Sequence, residues 1–131
     1  MYVDPSAVLA ILLEEDDASD LRQRLAASLN PVMSVVGKVE AALSLGQKLQ
    51  DYDVAKESIT QFCDEAGISV LPVQPSIYDE VLRAYRRFGK GTGHPAKLNF
   101  GDCFSYAFAK SNDQPILFKG DDFSRTDLKP A

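Results

Sequence analysis

The chain has 131 residues, 45% of them hydrophobic and 25% charged, with a formal net charge of −5. That length suits one domain with a real hydrophobic core, and the composition is that of an ordinary globular protein. No apolar run approaches the roughly 18 residues of a membrane span, no basic segment precedes an apolar stretch at the N-terminus, and the acidic balance excludes a broadly basic nucleic-acid-binding surface.

Met1-Tyr2-Val3 predicts a short buried strand ending at Asp4. Pro5-Ser6 opens a helix, since proline is pre-set for the first helical turn, and Val8, Leu9, Leu12 and Leu13 form its apolar stripe. One of Asp16, Asp17 and Ser19 caps a second helix reaching Leu29, with Leu21, Leu25 and Leu29 four apart. Pro31-Val32-Met33 reads as a brief strand. Ser34 caps a helix that carries Val35, Val36, Val39, Leu43 and Leu45 toward Gln50. A helix over Val54–Ala66 closes at Gly67. Residues 68–73 make a strand, and Pro75 starts a helix containing Ile77, Val81, Leu82 and Tyr85. A Gly-rich loop then leads to an Asn99-capped helix, Pro115–Phe118 forms the last clear strand, and the tail adds a short edge strand near Leu128.

Strands separated by helices imply an α/β fold, a three-layer α/β/α domain over residues 1–131. Its central sheet is mainly parallel, with four to five strands. In such a sheet all strand carboxyl ends lie along one edge, where ligands bind. Asp4 and Asp121 follow strands directly, and Asp102 lies in the first turn of a helix beginning at that edge. Each also has a structural explanation: a cap for Asp4, a macrodipole partner for Asp102, a polar turn for Asp121 and Asp122. Glu40 lies within or beside an apolar helix stripe, where a glutamate without a partner costs several kcal/mol or takes up a proton. Carboxylates sharing a small volume stay ionised only with divalent cations between them. Mg²⁺, with Mn²⁺ as a substitute, suits such oxygen ligands and points to metal-assisted phosphodiester chemistry.

Other chemistries are poorly supplied. His94 is the only histidine and sits in a Gly-rich loop, and Gly89–Gly93 lacks phosphate-loop spacing. Cys63 and Cys103 lack metal-ligand spacing and suit packing in a reducing cytoplasm. Against the net acidity, Arg83, Arg86, Arg87, Lys90 and Lys97 crowd into a short stretch before Asp102. Arg86, Arg87, Lys90 and Lys97, with Lys119, are candidate contacts for a phosphate backbone.

Five segments together resemble the PIN-domain toxins called VapC. They are Val3-Asp4-Pro5-Ser6-Ala7, Glu40, Phe88-Gly89-Lys90-Gly91, Leu98-Asn99-Phe100-Gly101-Asp102-Cys103-Phe104 and Leu117-Phe118-Lys119-Gly120-Asp121-Asp122-Phe123. The resemblance covers essentially the whole chain and implies a cytoplasmic, Mg²⁺-dependent endoribonuclease acting on structured RNA, a transfer RNA or a ribosomal RNA loop. It also implies inhibition by a VapB-like antitoxin, a homodimer, and contact with operator DNA only through that antitoxin. Asp4, Glu40, Asp102 and Asp121 match the family's acidic quartet, the first and third as principal metal ligands. Ser6 and Asp122 then support that shell, the Lys119-Gly120-Asp spacing favouring Asp121 as the ligand. Two positions depart from the family: Pro5 stands where threonine is common, and the 91–94 loop lacks an arginine. These departures support the alternative, a PIN-like module that binds RNA or antitoxin without cleaving. A phosphoacceptor domain fits less well, because residues 68–73 lead into Gln74-Pro75 with no acid to modify.

Overall fold

Four short strands pair in parallel because helices intervene to carry the chain back between them. The computed structural model describes residues 1–131. Strands β1 (Tyr2–Val3), β2 (Val32–Ser34), β3 (Ser69–Leu71) and β4 (Ile116–Leu117) form one sheet in the order β3-β2-β1-β4, every pair parallel. Helices α1 (Pro5–Leu12) and α2 (Ala18–Ala26) separate β1 from β2. Helices α3 (Val35–Leu49) and α4 (Tyr52–Glu65) separate β2 from β3, and α5 (Ile77–Phe88) and α6 (Phe100–Ser111) separate β3 from β4.

Strand alternation divides the hydrophobic residues into two cores. Val3, Met33 and Leu117 pack on one face against α1–α4, whose contributions include Ile11, Leu25, Leu45 and Ile59. Tyr2, Val32 and Ile116 pack on the other against Phe88 of α5 and Cys103, Tyr106 and Phe108 of α6. The three-layer expectation therefore holds. Past β4 the tail makes one 3₁₀ turn, Phe123–Arg125, with Phe123 buried in the second core. It then meets the outer edge of β4, where the Ile116 N–H donates to the Lys129 carbonyl (2.9 Å). The anticipated edge strand is thus a single bridge, Ile116 with Pro130.

Several boundaries differ from the sequence expectation for identifiable reasons. Helix α2 stops at Ala26, leaving Leu29 beyond it and 93% exposed. Asp51, whose side chain accepts from the Val54 N–H (3.0 Å), starts α4 at Tyr52 rather than Val54. Pro75 lies in a turn ahead of α5, which begins at Ile77. The largest departure is in α3. Its buried face is Gly37, Ala41, Leu45 and Gly46, while Val35, Val39 and Leu43 face outward.

No helix is long and apolar enough to cross a membrane. Both cysteines are buried and unpaired, in different cores. Ile59 is wholly buried beneath α3 and the sheet. Ile59→Ala is therefore expected to lower unfolding free energy by about 2–5 kcal/mol, measured by urea denaturation.

Candidate active site

Strand β1 lies between β2 and β4, so the chain departs to opposite sides of it. The carboxyl end of such a strand is where open α/β sheets open a crevice for ligands. Asp4 occupies that point. Its N–H donates to the Leu117 carbonyl (2.9 Å), and its side chain caps α1. Asp4 Oδ2 accepts from the Ser6 N–H (3.0 Å) and the Ser6 hydroxyl (2.6 Å). Ser6 Oγ in turn accepts from the Lys119 N–H (3.0 Å), tying the ends of β1 and β4 together. Pro5 takes the first turn of α1, where an N–H would have no intrahelical partner, so it does not disturb the acid.

Asp102 arrives from the other side of the chain. Helix α6 returns antiparallel to the strands, which puts its first turn at the same sheet edge. Asn99 Oδ1 accepts from the Asp102 N–H (2.8 Å), and Asp102 Oδ2 accepts from the Asn99 N–H (3.0 Å), a reciprocal capping box. The structural role expected for Asp102 is real, yet it engages only Oδ2; Oδ1 accepts no protein hydrogen bond.

Glu40 reaches the cluster from α3 by lying over the first turn of α6. A Cβ on Gly101 would collide with both carboxylate oxygens of Glu40, so the carboxylate keeps this position only over a glycine. The positive end of the α6 macrodipole favours a carboxylate in that position.

These acids oppose one another. Burial, then the charges of Asp4 and Asp102, push the Glu40 carboxyl up to about 7. Burial raises Asp102 to about 6 against the lowering pull of the Asn99 N–H, with Asp4 and Asp122 adding to the rise. Asp4 is raised chiefly by burial, which outweighs hydrogen bonding from Ser105 and Ser6, and Asp122 pushes it further. No lysine or arginine acts on Glu40 or Asp102, and none of the molecule's ion pairs includes any of these acids.

Of the two tail acids, Asp122 is the one whose charge reaches Asp4 and Asp102, where spacing alone favours Asp121. Both are exposed, and the Asp121 carbonyl accepts from the Ser124 hydroxyl (2.6 Å) in the turn. No three acidic side chains close around one point a cation could occupy. The oxygen-only donors suit a cation that keeps several of its own waters, held by one or two carboxylates. Mg²⁺ binds in that manner.

The basic candidates divide. Lys119 Nζ turns away from the acids to pair with Glu15 and with Asp17 (3.3 Å). Arg87 pairs with Asp127 (3.4 Å) and lies over the Phe88 ring. Arg86, Lys90 and Lys97 are exposed and have no carboxylate partner, so they alone of the five remain free for phosphates. His94 shapes its loop: Nδ1 accepts from the Ala96 N–H (3.1 Å) and the ring stands edge-on to Phe88.

Sequence reasoning missed two residues. Gly101 admits Glu40, and the only signal was its place between Phe100 and Asp102. Ser105 is buried one helical turn beyond Asp102, and its hydroxyl acts on both Asp4 and the buried Tyr2 phenol. The i, i+3 spacing from Asp102 would have put it on the same face. Tyr2 Oη also shares a hydrogen bond with Ser34 Oγ (3.0 Å), which itself caps α3.

Known proteins resemble this chain over nearly its whole length. Residues 1–129 match the PIN domain family. A VapC ribonuclease of Mycobacterium bovis is 39% identical over 131 residues, covering 100% of this chain and 98% of the relative. Ribonuclease VapC of Mycolicibacterium smegmatis is 38% identical over 128 residues, covering 98% of this chain and 97% of its own. Among solved structures, the Mycobacterium tuberculosis toxin VapC20, described as cleaving the sarcin–ricin loop, superposes with a TM-score of 0.78. That match is 14% identical and covers 99% of this chain and 97% of the other, so it speaks to the fold.

Two measurements follow from the crowding. Because the folded chain holds protons on Glu40 and Asp102 that the unfolded chain releases near 4, stability without metal falls as pH rises from about 4 to about 7. Thermal unfolding in EDTA is expected to give a lower Tm at pH 7.5 than at pH 5, and Mg²⁺ to raise Tm more at the higher pH. In Gly101→Ala the added methyl expels Glu40 from its seat. Carboxyl-carbon NMR titration should then find Glu40 moved from about 7 back toward its ordinary 4.5.

Proposed function

The chain belongs to the PIN-domain family and to its VapC ribonuclease toxins, and from that premise we propose a Mg²⁺-dependent endoribonuclease that cuts structured RNA in the cytoplasm. The observation that carries the metal dependence is the mutual repulsion of Asp4, Glu40, Asp102 and Asp122 with no basic side chain acting on Glu40 or Asp102. A divalent cation relieves that repulsion. When bound, it supplies a more acidic water and stabilises charge gathering on the phosphate.

The chain's own residues do the rest. Asp4 and Asp102 would hold the cation, each oriented by hydrogen bonds to Oδ2. Glu40, close enough to Asp4 and Asp102 to feel both charges, would take the proton of the attacking water on a carboxylate oxygen as the phosphodiester's leaving oxygen departs. Asp122 completes the acidic wall, and Ser6 fixes Asp4 relative to the strand end that leads to Asp122. Arg86, Lys90 and Lys97 hold the RNA backbone beside a site that would otherwise repel it. A transfer RNA or a ribosomal RNA loop is the substrate class this reading favours, the latter being what VapC20 is described as cleaving.

The partners belong to the same proposal: a VapB-type antitoxin, through which operator DNA is reached, and a second copy of the chain. Exposed apolar residues supply two separate faces for them, Val35, Val39 and Leu43 on α3, and Tyr78, Leu82 and Phe100 between α5 and α6.

The test uses purified chain freed of antitoxin. Structured RNA is expected to be cut in Mg²⁺ or Mn²⁺ and left intact in EDTA. Asp4→Asn and Asp102→Asn should each lower kcat on the order of 100-fold or more, since misplacing a reacting group alone costs about that much. Cutting that persists in EDTA would overturn the metal mechanism.

A further inference from the structure

We propose that Asp127 is a positioning residue for the acidic site, clasping the tail that carries Asp122 to the helix that carries Asp102. The proposal rests on the reading of that site as a cation-binding ribonuclease centre. Asp127 lies far from the quartet in kind, as an isolated acid near the C-terminus, and nothing in the chain's motifs marks it. Yet three side chains from two helices converge on it. Tyr106 donates its hydroxyl to Oδ1 (2.6 Å), while Lys110 (2.9 Å) and Arg87 (3.4 Å) reach Oδ2.

The placement of these donors is what gives Asp127 its reach. Tyr106 lies four residues beyond Asp102 on α6, so the same rigid helix carries the site acid and the clasp. Asp122 lies five residues before Asp127, with only the turn Phe123–Arg125 and Thr126 between them. Phe123 is buried edge-on to Phe118, and Thr126 Oγ1 donates to the Phe123 carbonyl (2.7 Å) and accepts from the Leu128 N–H (3.2 Å). The segment from 122 to 128 is therefore internally braced, and movement at Asp127 is passed to Asp122. Beyond it, residues 129–131 are fixed independently on the edge of β4. Asp127 alone ties the braced turn to α5 and α6 by polar bonds.

Charge supports the same role. Burial works to raise the Asp127 carboxyl, but Tyr106, Lys110 and Arg87 outweigh it and hold it down at about 2. The clasp thus stays ionised at neutral pH. It also pairs with Arg87 and Lys110, one cation from each of the two helices.

The test compares Asp127→Asn, Asp127→Ala and Tyr106→Phe with the unaltered full-length chain, using Mn²⁺ titration calorimetry, RNA cleavage and thermal unfolding. Loss of a group that orients metal ligands typically weakens binding 10- to 100-fold. The expected result is a Mn²⁺ Kd raised about tenfold in Asp127→Asn, more in Asp127→Ala and less in Tyr106→Phe. The kcat should fall in the same order, with KM for RNA changed less than about twofold. Mn²⁺ affinity and kcat both unchanged, alongside a lowered Tm, would reduce Asp127 to a structural clasp and overturn the proposal. An unaltered chain that binds no Mn²⁺ overturns the underlying ribonuclease-centre reading, and this proposal with it.

Discussion

Like charges crowded at one partly buried sheet edge are the constraint around which this protein is arranged. Parallel strand pairing puts every strand's carboxyl end on one edge, and β1 at the interior of the sheet puts Asp4 at the middle of that edge. The helix preceding β4 must begin at the same edge, which delivers Asp102. The helix following β2 starts there too, and a turn and a half along it Glu40 leans across to α6. Two dry cores on either side of the sheet make this convergence obligatory, because the strands cannot shift without emptying both. The repulsion is moderated locally. Ser6, Ser105 and the Asn99 N–H all favour the charged forms, and the starts of α1 and α6 present their positive ends.

Capping and chemistry are usually weighed as rival explanations for an acid at a helix start. Here they are the same arrangement seen from two sides. The Oδ2 atoms of Asp4 and Asp102 serve the backbone, which fixes each carboxylate plane. Asp102 keeps Oδ1 for a ligand as a consequence of that fixing. Ser6 extends the logic, since its hydroxyl donates to Asp4 and accepts from the backbone of Lys119, so one side chain registers two strand ends.

The order of elements was legible because punctuation is local: Pro5 at a helix start, Ser34 and Asn99 as caps, Gly67 with φ +66 at a helix end. Asp4, Asp102 and the Asp121–Asp122 pair stand out in the sequence for a related reason, since each lies next to an element boundary, while Glu40 stands out as an acid beside an apolar stripe. What was not legible depends on distance along the chain. In α3 the large residues Val35, Val39 and Leu43 suggest the buried face, but close approach to β1 and α1 selects Gly37 and Ala41 instead. Glu40 is half-buried because glycine at 101 leaves room for it, a pairing that no helical period encodes. Between Asp121 and Asp122 the sequence offers only spacing, whereas the fold lets the charge of Asp122, at the start of the 3₁₀ turn, act on Asp102. Arg87 and Lys119 read as free cations until the fold brings Asp127, Glu15 and Asp17 beside them.

That last division explains how a protein of net charge −5 can serve a polyanion. Six cations around the site fall into two groups by what they face. Arg87, Lys110 and Lys119 are bound to carboxylates that belong to the scaffold, and they fasten the tail and the α1–α2 loop around the site. Arg86, Lys90 and Lys97 have no such partner and lie at the end of α5 and in the loop that enters α6, immediately before the capping box of Asp102. A positive field of that kind would act at the approach to the acids, where a Debye length of about 8 Å makes local charge count for more than the total. Asp102, at the start of α6, is where that basic approach and the acidic cluster meet. Fixing its carboxylate through Asn99 on one side and its helix through Tyr106 and Asp127 on the other keeps the two opposed fields in register.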